Sequence, residues 1–125
     1  MGGALPFSPA DRMPARIAYK ILTAEQMRAL EADAFQGAPV DVADGYIHLS
    51  TAEQVAGTLD AHFAGRDDLF LAAVDLERAG AAVRWEPSRG GALFPHLYAR
   101  LTRALVTVSG PLRRDAGGAP VLPGA

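Results

Sequence analysis

From Ile17 to Leu22 the chain alternates, with Ile17, Tyr19 and Ile21 on one side and Ala18, Lys20 and Leu22 on the other. That two-residue period predicts a first strand. Thr23 and Gln26 follow at the spacing of a capping box, in which each side chain satisfies a backbone N–H of the opening turn, so a helix starts there. Met27, Leu30 and Ala34 give it one apolar face, and it is expected to end near Phe35 and Gly37. The stretch Gly37 to Gly45, with Pro39, Asp41 and Asp44, reads as a loop. Tyr46 to Leu49 reads as a second short strand. Ser50 and Glu53 offer another capping box, for a helix to about Phe63 with Val55, Leu59 and Phe63 facing inward.

Leu69 to Leu76 is nearly all apolar, as expected of a strand covered on both faces. Glu77 to Ala81 reads as a turn and Val83 to Glu86 as a brief strand. Pro87 to Gly91 is too rich in proline and glycine for regular structure. Leu105 to Val108 predicts another strand, and Asp115 to Gly118 a turn returning Val121 and Leu122 to the sheet. Helices near the front and strands behind argue for α+β architecture rather than an alternating parallel sheet. A chain of 125 residues fits one domain. The expected organisation is a flexible arm over residues 1–16, a single domain over 17–122 and a frayed tail over 123–125.

Composition narrows the function classes. There are no cysteines, which removes disulfides, thiolate metal sites and cysteine nucleophiles together. No secretory leader and no run of about 20 apolar residues is present, so a cytoplasmic protein without membrane partners is expected. The formal net charge of −2 conceals an asymmetry: Arg84 to Arg114 holds six arginines and one acidic residue, Glu86. Scattered solvated charges account for this, and so does a pocket tuned for phosphate or carboxylate. The acidic remainder and the lack of a lysine-rich stripe argue against nucleic-acid binding.

Two segments carry candidate chemistry. In Asp44-Gly-Tyr-Ile-His-Leu-Ser-Thr51, alternation puts Ile47 and Leu49 on one face and Tyr46, His48 and Ser50 on the other. The strand runs into a helix start, where free N–H groups favour an anion. His48 there either handles a ligand or a proton, or bonds a neighbouring carbonyl. Ser50 either meets a ligand or caps the helix. In Arg84-Trp-Glu-Pro-Ser-Arg-Gly-Gly91, Ser88, Arg89 and the glycines can form an anion-binding nest, or an ordinary tight loop. Glu86 is a candidate base or an orienting partner of Arg89, and equally an arginine's structural ion-pair partner. Trp85 reads as a core anchor. His96, between apolar residues, is a ligand contact or a satisfied structural group, and His62 sits at a helix end. No two histidines have the helical i, i+4 spacing of a zinc site, so no metal is expected. The serine-hydrolase elbow, the P-loop and the dinucleotide glycine fingerprint are missing from the sequence.

Ala18-Tyr-Lys-Ile21, Asp44 to Thr51 and Arg84-Trp-Glu-Pro-Ser-Arg-Gly-Gly-Ala-Leu-Phe-Pro-His-Leu-Tyr98 closely resemble the domain-of-unknown-function family numbered 952, over about Ile17 to Leu112. That resemblance brings no activity. A weaker one, to ADP-ribosyltransferases and RNA 2′-phosphotransferases, implies two helices on a mainly antiparallel, strongly bent sheet. In the phosphotransferases a first-strand histidine contacts the NAD ribose and a second precedes Leu-Ser. His48 matches the second, while the first falls near Lys20. The His48 motif at a strand-to-helix junction, with the arginine-rich second half, leads to the expectation of a cleft lined by Lys20, His48, Ser50 and Arg89 that takes a small anionic ligand, and the resemblance makes NAD or ADP-ribose candidates. A non-catalytic binding or protein-interaction module is the competing reading, and a metal-dependent hydrolase the third.

Overall fold

The computed structural model describes residues 15–124. The expected N-terminal arm, apart from Ala15 and Arg16, lies outside the described residues, as does Ala125. Strand β1 (Ile17–Thr23) leads into helix α1 (Ala24–Glu31), then α2 (Pro39–Asp44), β2 (Ile47–His48), α3 (Val55–His62) and β3 (Leu69–Asp75). Helix α4 (Leu76–Ala79) follows, then β4 (Val83–Pro87), β5 (Leu93–Leu97), β6 (Val106–Pro111), β7 (Arg113–Arg114) and β8 (Pro120–Val121). The strands form two three-stranded antiparallel sheets, β1-β3-β6 and β2-β5-β4, and a β7-β8 ribbon. The architecture is α+β, as the element order predicts. The expected single sheet is instead two, and the return at Val121 pairs with Arg113 rather than with either of them.

The local chemistry explains the boundaries. Thr23 Oγ1 accepts from the Gln26 N–H at 3.1 Å and Gln26 Oε1 accepts from the Thr23 N–H at 2.9 Å, so α1 opens on the expected box. It closes earlier than expected, because Asp33 turns left-handed at φ 58° and carries Phe35 into the core as irregular chain. The segment read as a loop contains α2. Pro39 presets the first turn, Asp41 Oδ2 accepts from the Ala38 N–H at 2.8 Å, and Gly45 ends the helix at φ 87°. The Ser50–Glu53 box does not form. The Thr51 N–H donates to Gln54 Oε1 at 3.0 Å, and one turn passes before α3 begins. Leu76 opens α4 rather than closing β3, because the Asp75 side chain accepts from the Arg78 N–H. Strand β5 has no counterpart in the sequence reading. Pro95 argues against a central strand, yet β5 lies between β2 and β4.

Central strand β3 is buried on both faces, as its apolar run requires. On one face Ala72 and Val74 pack with Ala18, Leu22, Leu30, Ile47, Leu49 and Leu97. On the other, Leu69, Leu71 and Ala73 pack with Tyr19, Ile21 and the α3 residues Val55 and Leu59. Trp85 is half-buried against the first cluster, a core contact as expected. Among the described residues no helix is long and apolar enough to cross a membrane.

Candidate functional site

The chain from Ile47 to Ser50 belongs to both sheets. Ile47 and His48 pair with β5, and two residues on Ser50 exchanges backbone bonds with Tyr19 of β1, at 2.7 and 2.9 Å. At this junction a cleft of about 530 Å³ opens, walled by parts of β1, α2, α3, β5 and the 88–89 turn. The outer face of β2-β5-β4 supplies Tyr46, His48, Phe94 and His96, while Ile47, Leu49 and Leu97 point into the core. This is the alternation expected of Tyr46 to Ser50.

Asp41, unforeseen from sequence, organises this wall. Its side chain is 1% exposed, and Lys20 beside it 5%. Asp41 Oδ1 accepts from Lys20 Nζ at 3.1 Å and from the His48 backbone N–H at 3.0 Å, and lies 2.7 Å from His48 Nδ1. Oδ2 is 2.8 Å from Lys20 Nζ and 2.8 Å from the Ala38 nitrogen. Burial alone pushes such a carboxyl up. The Lys20 charge and the donors from Lys20 and His48 outweigh it and hold Asp41 below the ordinary carboxylate range. Burial pulls the Lys20 ammonium below its ordinary value, against the opposing pull of Asp41. His48 is thereby held at Nδ1 by a buried carboxylate and turns Nε2 outward, 3.0 Å from the half-exposed Asp44. Among the described residues these carboxylates, rather than the neighbouring carbonyl considered from sequence, hold the ring.

Across the cleft, Arg89 Nη1 donates to Thr58 Oγ1 at 3.4 Å and its guanidinium lies 5.0 Å from the Phe94 ring centre. Among the described residues no carboxylate lies within ion-pair distance of it, unlike Arg66 and Arg114, which bond Asp68 and Asp67. Ser50 Oγ is 2.9 Å from Thr58 Oγ1, joining the strand junction to α3.

Other sequence expectations are corrected here. Lys20 reaches the cleft wall, but its ammonium is committed to Asp41 and the His48 carbonyl, 3.1 Å away, so it braces the site rather than offering charge to a ligand. Ser50 does not cap α3. In the turn ahead of α3, Gln54 Oε1 occupies the Thr51 N–H. Ser88 and Arg89 line the cleft, and of the N–H groups expected in a nest, those of Ser88 and Gly91 are spent within the turn. Glu86 lies off the cleft wall and makes no hydrogen bond or ion pair with Arg89. Its Oε1 is 2.7 Å from His96 Nδ1 and accepts from the Tyr98 hydroxyl at 2.8 Å. Those bonds hold the Glu86 carboxyl below its usual value. His96 is a satisfied buried group that also lines the cleft, stacked on Tyr46 at 4.1 Å. His62 sits at the end of α3 as expected, exposed at the cleft mouth. Among the described residues, no group of three or more acidic or histidine side chains is arranged to hold a metal ion.

The fold and these motifs define the class: the chain belongs to the family described as "Protein of unknown function (DUF952)", whose model matches residues 21–109. Among solved structures it is similar to protein CC0527 from Caulobacter crescentus. The crystal structure of that protein is 46% identical over 85% of this chain and 94% of the other, with a TM-score of 0.75. Its solution NMR structure is 45% identical over 85% and 92%, with a TM-score of 0.71. No curated protein matches the chain.

Proposed function

We propose that the cleft binds a small organic anion, its charged end on Arg89 and its body against the apolar wall near His48. The observation that supports this is a single cleft lined by an imidazole held on a buried carboxylate and by a guanidinium with no acidic partner among the described residues. A guanidinium over an aromatic face keeps its donor edge available to phosphate or carboxylate. Val40, Phe63 and Phe94 supply the apolar surface expected of a small-molecule site. Asp41 fixes the His48 ring, so His48 is the group suited to contacting or moving a proton on the ligand once Asp44 yields its Nε2 contact. The Ile-His-Leu-Ser resemblance to RNA 2′-phosphotransferases, and through it an ADP-ribosyltransferase-like fold, brings NAD and ADP-ribose into the ligand class.

Thermal unfolding against phosphate, pyrophosphate, ADP-ribose and NAD tests the reading. A ligand at a hundredfold its dissociation constant stabilises the native state by about 2.7 kcal/mol. The shift should vanish in Arg89→Ala and shrink in His48→Ala. No shift with any of the four, or one unchanged in both variants, would turn the assignment toward a protein-interaction module.

A further inference from the structure

Helix α3 carries a glycine in its interior, Gly57, at a place where alanine would favour the helix. Its backbone does not require glycine, since it is outside the positive-φ glycines of the described chain. What it touches does. A Cβ built on Gly57 would lie 2.9 Å from Arg89 Nη2 and 3.7 Å from Arg89 Cζ, both atoms of the guanidinium that faces the cleft. The notch at Gly57 is therefore the seat of that guanidinium, which has Thr58 Oγ1 on one side and the Phe94 ring on another.

Accordingly, we infer that Gly57 is a positioning residue for anion recognition: its missing side chain lets Arg89 lie flat against α3 and present its charge to the cleft. This rests on the anion-binding reading above and goes further by naming what holds the anchor in place. The ligand class is an anion able to meet a guanidinium edge, a phosphate or carboxylate group. In Gly57→Ala the added methyl group meets the flexible end of an arginine rather than backbone, so the fold persists and the guanidinium swings away.

The test follows the Arg89 Nε–Hε resonance by NMR, assigned by its loss in Arg89→Ala, while inorganic phosphate is titrated. In Gly57→Ala this resonance should leave its place beside Phe94. Phosphate affinity should fall about tenfold or more, the scale of a lost charge-assisted hydrogen bond. The unfolding temperature should stay unchanged or rise. Ala56→Gly, a neighbouring exposed position, is the control: it should lower the unfolding temperature and leave phosphate affinity alone. If Arg89→Ala loses phosphate while Gly57→Ala keeps full affinity, or if the Arg89 resonance stays put in Gly57→Ala, the inference is overturned and the anion cleft stands. If the wild type does not respond to phosphate at all, the anion-binding reading fails and takes the inference with it.

Discussion

At the scale of single residues, the site rests on a buried carboxylate with four donors around it. Removing one member of a buried ion pair leaves the other charged and unmatched, so Asp41→Asn should cost about 3–5 kcal/mol, measured by urea unfolding. Replacing both partners with apolar groups, Lys20→Met with Asp41→Leu, should cost far less than the sum of the single changes. The pH dependence has a definite sign. The folded state holds the Asp41 carboxyl below its ordinary value, so its contribution is fully present above the unfolded carboxylate pKa of about 3.9 and drains away as pH falls through the lower folded value. Wild type should therefore lose more stability on acidification below about pH 4 than Asp41→Asn does, as seen by urea unfolding followed by circular dichroism against pH. Part of this site was legible in the sequence. The period of two at Tyr46 to Ser50 assigns His48 to the polar face without any structure. Asp41 was not legible, because it sits among proline and glycine that signal a turn, and its partners Lys20 and His48 lie 21 and 7 residues away. Glu86 illustrates the opposite failure. It is three residues from Arg89, but β4 pairs antiparallel with β5 and brings it to His96 instead.

Elements were legible wherever a local signal ended or began them. The box at Thr23 and Gln26 forms as the spacing demands, and Thr23→Ala should lower stability by about 1 kcal/mol in chemical unfolding, the usual worth of an N-cap side chain. Helix α2 escaped because its N-cap is Ala38, whose side chain accepts nothing. The capping oxygen comes from Asp41, inside the helix. Strand β5 escaped because proline usually marks an edge, whereas Pro95 sits mid-sheet and is fully buried, with its carbonyl taken by the Leu49 N–H at 3.2 Å. Helix α3 starts one turn late because Gln54, rather than Glu53, closes the turn at Thr51.

For the whole molecule, β3 is shared property. Its odd and even residues anchor two different clusters, so neither can be lost without exposing the other. Leu71→Ala, on the α3 side, should cost about 2–5 kcal/mol, and the protein should still unfold in one cooperative transition by fluorescence and circular dichroism together. The α+β class followed from the order of helices and strands. The division into two sheets did not, because it depends on Ser50 leaving β5 for Tyr19, a pairing 31 residues apart that no periodicity encodes. That same division opens the cleft. The most direct measurement is a crystal grown with pyrophosphate at high concentration. Density within hydrogen-bonding reach of the Arg89 guanidinium, on the side facing His48, is the predicted result. Anion density confined to surface arginines such as Arg100 and Arg113, with the cleft holding only solvent, would contradict the account.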